Sequence, residues 1–286
     1  MGWPVLLLLL LVAGCASSPP LPGSAPAPAV AASPSLPPHT SGVRSWSGSQ
    51  SLARDLARIE QQLRAPATPN SQLSALGREQ QAAYIQLARH PDWVDGVISG
   101  APDDVRPAIQ ANVQAGGELA ALSSGSASSD RLPEWKIVAP APAPELLSYY
   151  REAESAYGVH WTYLAAINLV ESGMGRIRGT SSASAQGPMQ FLPGTWDEYG
   201  EGGDVNDPQA AILAAGRFLK ARGAPDDMEA ALYGYNPSRH YVSAISFYAQ
   251  VMQASERAYL GYYNWRVYVP AARGGLFLEE GFGTGP

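Results

Sequence analysis

The 286-residue sequence is poor in several of the residues that would make a function easy to read. It holds one cysteine, Cys15, close to the N-terminus. The rest of the chain therefore has no disulfide, no thiolate nucleophile and no cysteine-ligated metal available to it. Basic residues are few and scattered: 19 Lys and Arg stand against 25 Asp and Glu, a formal charge of −6. That is the wrong sign for wrapping a nucleic-acid backbone, so nucleic acid is excluded as an expected partner. Of the four histidines, His160 and His240 flank the aromatic half of the chain. Two isolated imidazoles without a third ligand do not make a metal site, so none is expected. The apolar run Val5 to Val12 is far short of the roughly twenty residues a membrane-spanning helix needs. The 29 glycines and 25 prolines show no collagen-like period, yet they are numerous enough to predict long irregular stretches.

What is present begins with the leader. Residues 1–15 read MGWPVLLLLLLVAGC, an export signal rather than an anchor helix. Its end, Val12-Ala13-Gly14-Cys15, resembles a bacterial lipobox, which implies cleavage after residue 14 and acylation of Cys15. More than one acyl chain at that residue gives stable membrane attachment. The positive residues that normally precede such an apolar run are missing here. From Ala16 to Val43 no charged residue occurs, and eight prolines sit among Ala and Ser. Such a composition buries no core and favours extended chain, so residues 15–50 are expected to be a tether.

From Ser51 the pattern turns helical. Leu52, Leu56, Ile59 and Leu63 recur at spacings of four, three and four, and Pro66 ends the run. Further amphipathic stretches are expected at about Ser71 to Arg89 and Pro102 to Leu122, giving a small helical accessory region over 51–130. It is expected either to pack as its own module or to lie against the next domain. The Ser/Gly/Ala run 123–129 and the APAPAP of Ala139 to Pro144 mark its end.

Composition then shifts, with 13 of the 14 tyrosines at or beyond Tyr149. Aromatics at that density suit a core and equally a groove that stacks sugar rings. The nearly all-apolar stretch Trp161 to Val170 predicts a helix through the centre of a domain. Asp207-Pro208 predicts an N-cap and first helical residue, with Gly223 and Pro225 as the stop. Asp226 with Glu229 reads as a capping box, and Ser238 as the start of a long helix carrying Tyr241, Ile245, Tyr248 and Met252. Strand character is expected only around Val267 to Leu278, and the stretch Tyr262 to Leu278 is expected either to wall the groove or to pack as a tail. The fold class is mainly α.

Glu171 is the one ionisable residue of the buried helix, at its C-terminal end and on the face of Leu164 and Ile167. Apolar neighbours desolvate a carboxylate there, and the helix C-terminus adds negative potential. Both raise its pKa and suit it to donating a proton to a leaving oxygen. From position alone, a solvated helix-end glutamate is an equally good reading.

Glu171-Ser-Gly-Met-Gly175, Gly187-Pro-Met-Gln-Phe191 and Tyr233-Gly-Tyr-Asn236 occur along the chain in that order. Together they resemble the Glu-Ser, Gly-Leu-Met-Gln and Ala-Tyr-Asn motifs of the soluble lytic transglycosylase family, over roughly Glu145 to Tyr268. The resemblance implies a goose-lysozyme-like catalytic domain at about 144–270, preceded by the small helical region and succeeded by a tail at 271–286. It implies cofactor-free cleavage of the β-1,4 bond between N-acetylmuramic acid and N-acetylglucosamine in peptidoglycan strands, leaving a 1,6-anhydro end. Glu171 is implied as the acid/base, and Ser172 as a contact to a substrate N-acetyl or peptide group. Met189 and Gln190 are implied to line the groove, Tyr235 to bond the catalytic carboxyl and Asn236 to bind sugar. Pro188 stands where the family has Leu, Gly234 where it has Ala, and the interval from Glu171 to Gly187 is about one residue longer than the common pattern.

A water-delivering glycosidase usually needs a second carboxyl about 5 to 9 Å away. Asp197, Glu198, Glu201 and Asp204 are the acids near the motifs, and they read more simply as a solvated face. A hydrolytic muramidase and a non-catalytic wall-binding lipoprotein are the rival readings. The expected location is outside the cytoplasm, lipid-anchored to a bacterial membrane through Cys15 and facing the wall.

Overall fold

The computed structural model describes residues 45–123, 135–181, 184–271 and 274–283. The leader, Cys15, the tether up to residue 44 and residues 124–129 of the Ser/Gly/Ala run lie outside the described residues. Among the described residues the chain forms eleven α-helices and four short strands, the mainly α architecture expected. No helix among them is long and apolar enough to cross a membrane.

Four helices precede residue 124: α1 (Ser49–Arg64), α2 (Asn70–Arg89), α3 (Val94–Gly100) and α4 (Arg106–Ser123). Leu52, Leu56, Ile59 and Leu63 are the buried stripe of α1, as their spacing predicts. A 3-10 turn at Pro91–Trp93 and the short α3 were not anticipated. With a single buried side chain, Val97, α3 shows no period in the sequence.

The accessory helices lie against the rest of the chain. Ala108, Ala111 and Ala115 of α4 belong to the same core as the helices beyond residue 143. The junction also carries buried hydrogen bonds. Tyr262 donates to Asn112 Oδ1 at 2.6 Å, and Asn112 Nδ2 donates to the Tyr84 hydroxyl at 3.1 Å. The amide of Gln81 bonds both main-chain groups of Arg266, donating to its carbonyl and accepting from its N–H. Glu60, fully buried, accepts from Gln80 and Tyr84 and pairs with Arg64. A buried carboxylate is tolerable only when its lone pairs are satisfied in this way.

The second half comprises α5 (Ala143–Tyr157), α6 (Trp161–Ser172), α7 (Pro193–Tyr199), α8 (Pro208–Ala221), α9 (Met228–Tyr235), α10 (Arg239–Ala254) and α11 (Ala258–Tyr263). Every residue of α6 except Tyr163 is buried, so this helix is the axis on which α5, α8, α10 and α11 pack. Asp207 caps α8 by accepting from Ala210 N–H, and Pro208 occupies the first turn, as expected. The cap of α9 is Asp227 rather than Asp226. Its carboxylate accepts from Ala230 N–H, which shifts the expected capping box by one residue. Ser238 precedes α10, which buries Tyr241, Ile245, Tyr248 and Met252 as predicted.

Two small antiparallel pairs complete the fold. β1 (Lys136–Ile137) pairs with β2 (Ile177–Arg178), and β3 (Val267–Ala271) pairs with β4 (Gly274–Leu278) in a hairpin that sets Val267 opposite Leu278. Val267, Val269 and Leu278 pack on Trp135, Ile137 and Ile177 as a separate small core. The hairpin is thus fixed beside the C-terminal end of α6.

Candidate active site

The end of α6 is defined by its backbone. Gly173 takes the left-handed conformation (φ 61°), its N–H bonds Leu169 O, and the Met174 N–H bonds Asn168 O. This C-cap leaves Glu171 within the last helical turn, where it is only 4% exposed. The carboxyl accepts one hydrogen bond, from the Tyr241 hydroxyl to Oε1 at 2.9 Å. Burial raises its pKa from 4.5 to about 8, and the Tyr241 bond offsets part of that rise. The carboxyl is therefore mostly protonated at neutral pH.

Tyr235 does not bond Glu171. Its ring lies parallel to that of Tyr241, with centroids 6.4 Å apart and planes 3° apart, but its hydroxyl donates to Met189 O at 2.6 Å. Tyr235 ends α9 and its hydroxyl falls over the 187–190 turn, whereas Tyr241, in the first turn of α10, reaches the carboxyl. The bond implied for Tyr235 is thus made by Tyr241. Its membership of the buried stripe of α10 was visible in the sequence, but its polar end carried no separate signal.

Ser172 is also placed differently from the implied substrate contact. It is 0% exposed, and its hydroxyl is fully engaged by protein. It donates to Pro188 O at 2.5 Å and accepts from Gly175 N–H at 2.9 Å. The serine ties the helix end to the 187–190 turn. Asn168, one turn earlier and unremarked in the sequence, does the same from the core. Its amide donates to Pro188 O at 2.8 Å, and its carbonyl accepts from Tyr150 at 2.6 Å. Proline in place of leucine at 188 keeps the carbonyl that both side chains use.

The turn itself admits little change. At Gly187 (φ 73°) a Cβ would sit 1.9 Å from Val205 O, so only glycine fits. Gln190 adopts φ 50°, which is unusual for a residue with a side chain. The Met189 side chain is buried in the core, leaving its main chain to face Tyr235. Gln190 Nε2 bonds Gly187 O at 2.8 Å. Gln190 Oε1 and Asn236 Nδ2, by contrast, are buried with no hydrogen-bond partner. Native proteins leave few such buried groups unpaired.

Asp197, Glu198, Glu201 and Asp204 are all exposed along α7 and the turn after it, with Glu201 paired to Arg217 at 2.6 Å. They form the solvated face that their clustering suggested. His160 caps α6 and His240 bonds Glu118 at 2.6 Å. Among the described residues no group of three or more His, Cys, Asp or Glu is arranged to hold a metal.

A cavity of about 680 Å³ lies beside the end of α6, lined largely by apolar groups. Leu169, Val170 and Gly173 form one side, α2 and α4 the opposite side, and Trp265, Val267 and Tyr268 the third. The hairpin packs on its own small core, as one of the two expectations for the C-terminal stretch has it, and it also lines this cavity, whose lining does not include Glu171, Gln190, Tyr235 or Asn236. Residues 148–244, which contain Glu171, the 187–190 turn and Tyr241, match the family model of the Transglycosylase SLT domain. No curated protein and no solved structure matches the chain.

Proposed function

We propose, from a chain that carries a Transglycosylase SLT domain at residues 148–244, that it is a peptidoglycan lytic transglycosylase. The observation that carries this reading is the Glu171 carboxyl, buried, with its pKa raised to about 8 and bonded among the described residues by Tyr241 alone. A protonated carboxyl at neutral pH is the acid that breaking a glycosidic bond requires. Glu171 gives its proton to the bridging oxygen between N-acetylmuramic acid and N-acetylglucosamine as the bond to C1 breaks. The resulting carboxylate then accepts the proton of the muramic 6-hydroxyl while O6 attacks C1, closing the 1,6-anhydro ring. The cycle returns Glu171 to its acid form and needs neither water nor a cofactor. One carboxyl suffices, in keeping with the exposure of the four acids around α7.

Gln190 and Asn236 stand at the motif positions that the resemblance assigns to lining the groove and binding sugar. Ser172, Met189 and Tyr235 act behind them by fixing the 187–190 turn. The protein acts outside the cytoplasm, exported by the leader, attached to a bacterial membrane through acylated Cys15 and reaching the wall on the tether to residue 50.

The test is mass spectrometry of purified peptidoglycan digested by a soluble chain starting at Ser45, beside Glu171→Gln. Anhydromuropeptides from the wild type and none from the variant are expected. Reducing ends would replace this reading with hydrolysis. Binding without any product from the wild type would make the protein a wall-binding lipoprotein.

A further inference from the structure

A second cavity, of about 440 Å³, opens on the far side of the Trp265-Arg266 segment from the apolar groove. It differs in chemistry, because three arginines line it: Arg78 from α2, Arg176 between the catalytic helix and β2, and Arg266 at the start of the hairpin. Arg266 is paired with Glu279 at 2.9 Å, while its Nε is buried without a partner. Arg176 makes no ion pair with a carboxylate among the described residues. Its two Nη atoms donate to Gly173 O at 3.0 Å and Tyr263 O at 2.7 Å, and its guanidinium sits 5.2 Å from the Tyr263 ring centre. Its pKa is lowered by burial, an effect that the nearby Tyr263 and Glu280 partly offset and the charge of Arg78 slightly adds to. Arg78 is exposed and makes no hydrogen bond or ion pair with a described residue.

We propose that this cavity is an anion-binding site for a carboxylate, supplied by the acidic peptide stem of the glycan substrate. Three guanidinium groups face two carboxylates, Glu279 and Glu280, so the lining carries one net positive charge. That matches a single carboxylate better than a doubly charged phosphate. Arginine forks bind carboxylates through paired N–H donors, and a desolvated guanidinium held only by carbonyls gains most from an anion. The site also communicates with the catalytic helix by contact: Arg176 is bonded to Gly173, the residue that ends α6. A stem seated here engages the same turn that positions Glu171. The identity of the ligand as a peptide stem rests on the peptidoglycan reading above, whereas the anion site itself does not.

Titration calorimetry on the chain from Ser45 uses a muramyl tripeptide with free carboxylates, the same peptide fully amidated, and inorganic phosphate as competitor. The free acid is expected to bind, with about tenfold loss on amidation and about tenfold loss in Arg78→Gln, and with Arg78→Lys between. Because Arg78 is exposed, the unfolding midpoint of Arg78→Gln should equal that of the wild type. Equal binding of acid and amidated peptide, equal binding by wild type and Arg78→Gln, or no binding of the acid overturns the site. Phosphate binding more tightly than the peptide overturns the carboxylate assignment. Digestion of stem-free glycan strands by the wild type separates the two readings. Products there, with calorimetry negative, reject the anion site alone. Absence of products from both stem-free strands and intact peptidoglycan rejects the enzymatic reading, and the calorimetry still decides the site.

Discussion

The Tyr241 hydroxyl donates to Glu171 Oε1 at 2.9 Å, while Tyr235, stacked parallel to it, spends its proton on Met189 O at 2.6 Å. One tyrosine tunes the acid and the other holds the turn. A hydrogen bond to a carboxylate favours the ionised form, so its removal raises the pKa further. Tyr241→Phe should move the alkaline limb of the pH–rate profile, near 8 in the wild type, to higher pH and lower the maximal rate. Tyr235→Phe should lower the rate without moving that limb and cost about 1 kcal/mol of stability. Anhydro-product formation measured from pH 5 to 10 checks both, and a limb that moves in Tyr235→Phe instead would reverse the assignment.

Glu171 also makes stability depend on pH. Between 4.5 and about 8 the folded carboxyl keeps a proton that the unfolded one gives up. The unfolded state therefore binds fewer protons, and stability falls as pH rises through that window, levelling off above about 8. At roughly 1.4 kcal/mol per unit, the loss is on the order of 5 kcal/mol at most. Glu171→Gln lacks this dependence. Its urea midpoint relative to the wild type should climb from pH 4.5 to pH 8 and then stay level, and parallel curves would contradict the assigned pKa.

Ser172 is a structural tie, and Ser172→Ala should show it. The substitution leaves Gly175 N–H without its acceptor in a buried site and releases one bond to Pro188 O. A loss of about 1 to 3 kcal/mol is expected in urea unfolding. KM for glycan strands should change little, and a large rise in KM at unchanged stability would restore direct substrate contact.

Much of the site was legible because its chemistry is local. Glu171 stands out as a lone acid in an apolar helix, and Gly187, Gln190, Tyr235 and Asn236 sit in short ordered motifs. What the sequence did not show are partnerships made across the core. Tyr241 and Asn168 look like interior residues of helical stripes, and only the crossing of α10 over α6 turns one into a proton partner of Glu171. Ser172 reads as a site residue until its burial is known. The accessory helices were placed correctly along the chain, but alanines on a helix face do not announce which neighbour they pack against. Asp226 and Asp227 are equal candidates for a cap until the backbone chooses one.

Asn112 binds the two halves of the chain together, so its loss should be felt by both. Asn112→Leu leaves the Tyr262 hydroxyl without its buried acceptor and removes a donor to Tyr84. A cost of about 2 kcal/mol is expected. Unfolding monitored by tryptophan fluorescence and by far-ultraviolet circular dichroism should remain a single coincident transition in both wild type and variant. Two separate transitions would make residues 45–123 an independent domain.

Arg257 donates to the carbonyls of Leu63 and Thr68, and Gln81 is satisfied by the main chain of Arg266, links that span nearly two hundred residues. The first of the described helices to leave the ribosome thus depend on residues made near the end to pair some of their polar groups. Contacts this distant in sequence slow folding, because the loop must close before they reward it. A chain interrupted before Arg257 lacks these partners of the first two helices and their connection, as well as α11 itself. Assembly of α6 in its finished setting is therefore an event of the whole chain, one that synthesis must complete before the carboxyl at position 171 is held in place.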